Sequence, residues 1–445
     1  MEILMYIAAF LFCLDDFPIM FGTSYKPVSI IFILLYILCH LSSVFHLKFK
    51  RAEIYILVIL LMAVCISLAI ITGRHYSPAG LYDAVQSLFA GMVCYIGFKI
   101  FAQQCEDDDE KFTKLFTWIV RGYGIAVFVG ILQLIYIYVI PSGALSQIIQ
   151  VFVERIGFIE NSRVHMSFSE ASFIGLHTNL LLLPSVIILK NRGRLTRNHI
   201  IIVSSFLFLS LFSLSIRYFI DILVFIAAYL IFTTHSRILL QRMLTFLVST
   251  LAVFLLINAI FVQNVFHLQS YHYYRMANII TDPSSAGDDT STLIRTAYTK
   301  TGLVSFIDHP LVGYGLGNFH YAYMDHYKTI DPEALQKSEE LRNAATGDGS
   351  LQSYNMYSRL LSEMGLPGLL VIILTLCLMI HSGSGNFSKL MVFLVVYSQI
   401  QFDSLALIPL YFWIALLDSR FIRKINVADV PRLSTVRERN LYYLK

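Results

Sequence analysis

Apolar runs long enough to cross a bilayer recur along the whole of this 445-residue chain, and no other feature restricts its fold as tightly. They fall at about 1–20, 27–46, 54–72, 81–101, 114–140, 171–189, 199–215, 218–234, 243–262, 355–380, 389–402 and 405–418. In hydrocarbon the backbone must satisfy its own polar groups, so runs of this length are predicted to be helices. Charged residues make up only 14% of the chain, too few to cover a water-facing surface. The expectation is an all-α integral membrane protein with about 12 transmembrane helices and a large structured loop on one face. A soluble enzyme with a single anchor, a disordered chain and a secreted disulfide scaffold are excluded.

The few charges orient the chain. Lys48, Lys50, Arg51, Lys99, Lys111, Lys114, Lys190, Arg192, Arg194, Arg197, Arg237, Arg242 and Lys389 follow alternate spans. The basic tail beyond Arg420 joins them on the same face, which places both termini in the cytoplasm. The N-terminus lacks a basic leader and a small-residue cleavage site, and reads as a retained first span. Net charge is only +4 with no long basic run, so no nucleic-acid partner is expected. None of the six cysteines has zinc or redox spacing, and disulfides are not expected to organise the fold. Neither a metal nor another cofactor is called for. The predicted organisation is an N-terminal bundle over 1–262 (about nine spans, with an outer segment at 141–170), a loop over 263–353, transmembrane helices over 354–418 and a cytoplasmic tail over 419–445.

The outer loop is far longer than a connection requires. Thr290 or Ser291 is placed to cap a helix running through Arg295 to a stop at His309-Pro310. Asp331-Pro332-Glu333 marks the start of a second helix through Leu341, and Gly347-Asp348-Gly349 a turn before the next span. Between the two helices, His309-Pro310-Leu311-Val312-Gly313-Tyr314-Gly315-Leu316-Gly317-Asn318 alternates glycines. Such spacing lets backbone amides converge on an anion, and it equally suits a tight turn against the membrane surface. Arg155, Arg163, Glu170, Arg217 and Arg295 all fall on this outer face by topology. Arg217, at the end of the span that closes with Leu214-Ser215-Ile216, is either a snorkelling side chain or an anion ligand. Guanidinium groups chelate diphosphate better than lysine does, so several of them at headgroup level suggest a lipid-linked diphosphate. The acids Asp15-Asp16 are read as the end of a short first span, and the run Glu106–Glu110 as a solvated loop.

The order of these features resembles the O-antigen polymerase (Wzy) and O-antigen ligase superfamily. The resemblance rests on the glycine segment after a loop arginine, and on Tyr354-Asn355 followed by Glu363-Met364-Gly365-Leu366-Pro367-Gly368 entering the next span. Arg163 to Ser172 and Ser215-Ile216-Arg217 are similar to the family's two upstream motifs, with Ala171 where the family has proline and Ile216 inserted. Ligases of this group carry a His-Asn pair where this chain has Tyr354-Asn355, so the polymerase is the closer fit.

The resemblance implies metal-independent glycosyl transfer at the periplasmic face of a bacterial inner membrane. Donor and acceptor would be glycans on undecaprenyl diphosphate, with membrane lipid and a chain-length regulator protein as further partners. Arg163, Arg217, Arg295, Gly313, Gly315 and Gly317 are then expected to bind diphosphate, and Glu170, His309 and His320 are expected to supply the catalytic acid–base groups. His326, in the spacing His320-x4-Asp325-His326, is expected to be structural, and Tyr321, Tyr323 and Tyr327 either stack on sugars or belong to an interfacial belt. A glycan ligase is the nearest rival. A transporter or lipid-oligosaccharide flippase is disfavoured, because its polar groups would lie at mid-membrane rather than at one face.

Overall fold

Every apolar run contains a helix in the computed structural model, and among the described residues no β-sheet forms. The structure describes residues 2–425 apart from 19–24, 26, 156, 161, 234–238, 283–284, 286–288, 331, 348–350, 352 and 384. Four helices are long and apolar enough to cross a membrane: Arg51–Arg74, Ala79–Gln104, Asp109–Tyr138 and Phe173–Asn191. Shorter apolar helices follow at Ile3–Cys13, Ser29–Cys39, Arg197–Ser213, Thr250–Val262, Leu366–Ser382 and Asn386–Ser398. The segments Ile216–Thr233 and Ile408–Leu416 are also helical. Length and composition therefore support a membrane protein without fixing the number of crossings.

The run at 355–380 is not one helix. It breaks at Gly365, whose φ of +63° is costly for any residue with a Cβ. A Cβ there would also lie 2.5 Å from the carbonyl oxygen of Pro310. The break lets the turn after Pro310 dock on the chain, with the Leu366 amide donating to Pro310 O at 2.7 Å. What precedes it, Met356–Met364, is a separate amphipathic helix bearing Arg359 and Glu363.

In the long loop, helix Thr290–Asp308 is capped by Asp289, whose carboxylate accepts the Thr292 amide at 3.1 Å, rather than by Thr290 or Ser291. The expected second helix is two, Pro332–Lys337 and Glu339–Ala345, because Ser338 caps the latter by accepting the Leu341 amide. Its anticipated cap Asp331, and Asp348-Gly349 of the expected turn, lie outside the described residues. These loop helices bury a small apolar cluster of their own around Tyr298, Phe319, Tyr323 and Leu341. Tyr323 is thus core, while Tyr321 reaches the helix turn above Arg74 and stacks on Tyr76 at 3.7 Å.

The main core lies between the membrane helices, where Phe12, Phe98, Phe116 and Phe412 meet edge to face beside Trp413. The indole N–H of Trp413 donates to Leu180 O at 2.6 Å, satisfying its polar atom inside that core. At the end of the bundle away from the long loop, the acidic run is more than a solvated loop. Asp109 pairs with Arg192 at 2.9 Å, and Asp107 with Arg420 at 3.1 Å. Asp15 and Asp16 follow the first helix, which ends at Cys13, yet both are fully buried. Asp15 accepts the Ser169 amide at 2.7 Å and Asp16 the Arg155 amide at 3.0 Å. These acids hold the 154–170 segment in place, which the expectation of a simple span end did not foresee.

Candidate active-site cavity

The polar segments converge on a cavity of about 660 Å³ at the loop-bearing end of the bundle. Arg217, Arg295, Glu170, His320 and Gly317 all line it. Arg217 starts helix Ile216–Thr233 and is 8% exposed. Its guanidinium carbon sits 3.7 Å above the Phe402 ring, and its Nε lies 3.9 Å from Asp221, one turn along the same helix. Asp221 is itself fixed by the Tyr397 hydroxyl at 2.8 Å. Among the described residues, neither Nε nor Nη2 of Arg217 finds a hydrogen-bond partner. A buried cation so poorly paired is costly in the empty protein and suited to an incoming anion. Arg295, on the loop helix Thr290–Asp308, adds a second guanidinium, with its carbon 5.5 Å from the Tyr354 ring centroid.

Helix packing brings a second group of charges to the same cavity. Arg359 pairs with Glu363 at 3.2 Å and donates to the Asp403 carbonyl at 2.7 Å. The Asp403 carboxylate accepts the Ser353 amide at 2.7 Å, and Asp83 joins from helix Ala79–Gln104. That helix is placed by a backbone contact. A Cβ on Gly317 would lie 1.9 Å from Gly80 O, and one on Gly80 would lie 2.1 Å from Gly317 O. No side chain fits at either position, so the turn and the helix meet backbone to backbone.

The glycine segment holds its amides differently from an anion cradle. Gly313 N donates to His309 O, Tyr314 N to Ser362 O, Gly315 N to Glu363 O and Leu316 N to Ser67 Oγ, all within 3.1 Å. With these donors engaged inside the protein, Gly313 and Gly315 act as docking points of the loop on the helices, away from the cavity lining. Gly313 and Gly315, expected to bind diphosphate, are thus not among the residues lining this cavity. His309, expected among the acid–base groups, is also not among the lining residues and packs edge-on against Tyr314 at 4.9 Å. His326 bonds the Tyr314 hydroxyl at 3.2 Å and faces Asp308 at 3.6 Å, a structural position.

Arg163 does not line the cavity either. Its Nε donates to Ser213 O at 3.0 Å, tying the outer segment to the end of helix Arg197–Ser213. Burial first, and then neighbouring Arg275, push its guanidinium down to about 10, so it is charged at neutral pH. Glu170 lies beside these cations, 3.9 Å from Arg155, and accepts the Ser172 hydroxyl at 3.0 Å. Burial lowers the pKa of His320, which keeps its imidazole neutral, and the ring leans on Tyr321 at 3.7 Å.

A second cavity, of about 250 Å³, lies behind the acidic wall and is lined almost wholly by apolar side chains such as Leu60, Leu88, Met92, Leu360 and Val371. The two cavities share elements: helix Ala79–Gln104 turns Asp83 and Ser87 to one and Leu88 and Met92 to the other. Helix Met356–Met364 does the same with Arg359 and Leu360. Asp83 and Asp403 were not anticipated. The signal for Asp403 was Gln401-Phe402-Asp403-Ser404 interrupting two apolar runs, whereas Asp83 is a lone acid near the start of one.

No curated protein matches the chain. Residues 201–373 do match a family model, the one described as O-antigen ligase, and that stretch carries Arg217, Arg295, the glycine segment, Arg359 and Glu363. The matched stretch is 173 of the 445 residues, and over it the chain is similar to that family.

Proposed function

We propose that this protein polymerises undecaprenyl-diphosphate-linked repeat units into a surface polysaccharide at the periplasmic face of the inner membrane. The observation that carries the reading is Arg217, a buried guanidinium lining a large polar cavity, two of whose nitrogens have no hydrogen-bond partner among the described residues. In the transfer, a hydroxyl of the acceptor repeat unit attacks the anomeric carbon of the donor glycan and the lipid diphosphate departs. Arg217 and Arg295 would stabilise the charge that develops on that leaving group, which is where fixed cations act most strongly. Arg163, one layer back, would hold the segment bearing Glu170. The cavity is lined by several proton acceptors, Glu170 and His320 among them, and one of its acceptors would take the proton of the attacking hydroxyl. The adjoining apolar cavity would take the first part of a prenyl chain.

This reading keeps about 12 crossings, both termini in the cytoplasm, and the organisation 1–262, 263–353, 354–418 and 419–445. It includes a chain-length regulator as partner. The ligase is the second reading, and Tyr354 bears on it: its ring sits beside Arg295, where ligases carry the histidine base. Deleting the gene from its host separates the two. Surface glycan of a single repeat unit is the expected result. Accumulation of long lipid-linked glycan would show a ligase instead, and unchanged surface glycan would reject both.

A further inference from the structure

The cavity is electrostatically two-sided. One part of its wall carries Arg217 and Arg295, and another carries Asp83, Glu363 and Asp403 around a single cation, Arg359. The first part suits the diphosphate. The second is built for a neutral, hydroxyl-rich group, because carboxylates accept hydrogen bonds from sugar hydroxyls and repel phosphate. Two of its acids are already engaged. Glu363 holds Arg359, and Asp403 holds the Ser353 amide. Asp83 differs: among the described residues it makes no hydrogen bond or ion pair, and it feels the charge of Arg359 only at longer range. It is exposed to the cavity in the second turn of its helix, with Gly80 pressed against Gly317 one turn before it. The buried, incompletely paired Arg217 in the same cavity shows independently that the space is shaped for a charged ligand.

We propose that the wall of Asp83, Arg359, Glu363 and Asp403 is the acceptor-sugar subsite, and that Asp83 is the general base of the transfer. The proposal rests on the glycosyl-transfer reading above. The acceptor oxygen forms a bond to the anomeric carbon of the donor as the bond from that carbon to the diphosphate oxygen breaks. The bonding pair leaves with the diphosphate, onto Arg217 and Arg295, and the hydroxyl proton passes to the Asp83 carboxylate. Glu170 is less suited to this task, since it sits among Arg155, Arg163 and Arg295, on the diphosphate side.

The test uses the purified full-length protein in nanodiscs, the host's own lipid-linked repeat unit as substrate, and undecaprenyl diphosphate as a binding probe. Asp83→Asn should slow elongation about 100-fold or more while binding the probe as tightly as wild type does. Asp83→Glu should recover part of the rate. Elongation by Asp83→Asn within threefold of wild type would overturn the assignment. Weakening of probe binding as severe as in Arg217→Ala would also overturn it, by moving Asp83 to the diphosphate side. A wild-type protein that neither elongates glycan nor binds the probe would refute the underlying reading, and Asp83's role with it.

Discussion

Replacing Arg217 tests the leaving-group clamp most directly. Its Nε and Nη2 are buried with no hydrogen-bond partner among the described residues, and once the side chain shifts toward the cavity each can give one charge-assisted hydrogen bond to a departing diphosphate. Such bonds contribute about 1.5–3 kcal/mol apiece. Losing two therefore removes roughly 3–6 kcal/mol from the transition state, or about 10²–10⁴-fold in rate at ~1.4 kcal/mol per decade. Arg217→Lys keeps the charge but loses the fork and the stack on Phe402, and should retain a few per cent of the activity or less. Arg217→Ala has a second consequence, because Asp221 would remain buried with the Tyr397 hydroxyl as its main partner. Removing one member of a buried ion pair costs up to about 3–5 kcal/mol of stability, and this pair, at 3.9 Å, belongs at the low end. Arg217→Ala with Asp221→Asn removes both charges and isolates the catalytic effect. The assay is the length distribution of surface glycan in a host lacking the native gene, with membrane protein level measured in parallel. The double variant, present at wild-type level, should show glycan of one repeat unit. A normal ladder from that variant would refute the clamp.

Two further outcomes follow from the geometry. His272, in helix Tyr271–Thr281, is pulled down to about 4 by burial and then by Arg163 and Arg275, against about 6.5 when unfolded. The unfolded chain thus binds the extra proton first, so thermal stability should fall as pH drops from 6.5 toward 4 and level off above 6.5. His272→Gln should flatten that slope, and an equal slope in wild type and variant would contradict it. Leu88→Trp, which fills the apolar cavity, should raise KM for undecaprenyl-linked donors about tenfold or more and leave KM for a short-prenyl analogue unchanged. Equal effects on both donors would place the prenyl chain elsewhere.

Much of the helical architecture was legible because hydrocarbon leaves the backbone few choices, and apolar runs of span length record that constraint directly. The neighbourhood of Arg217 and Arg295 was legible for a related reason: charge is scarce, so cations on one face of a membrane protein have few places to be. The glycine segment was harder. Its spacing tells that side chains are forbidden, but a phosphate and a neighbouring backbone forbid them equally, and here the neighbours are Gly80, Ser362 and Glu363. His309 lay close in sequence to that segment and yet faces Tyr314, because the turn at Pro310 sends it behind the docking surface. Asp83 left no signal at all, since a single acid near a helix start is ordinary, and only the contact of Gly80 with Gly317 brings it to the cavity.

The attachment of residues 13–16 to the outer segment has a consequence for how the protein is made. Asp15 and the Ser169 amide are 154 positions apart, and Asp16 and the Arg155 amide 139. The Ser167 hydroxyl likewise bonds Cys13 O across 154 positions. At ribosomal speeds the earlier partners wait on the order of ten seconds for the later ones to be synthesised. During that interval two acids lie at the end of an inserted helix with their eventual donors not yet in existence, so the segment bearing Glu170 closes onto a template laid down at the start of translation. Completion of the site is consequently a late event in biogenesis. Damage to the first few turns of the chain would leave the later helices free to insert and would be felt at a cavity formed more than a hundred residues downstream.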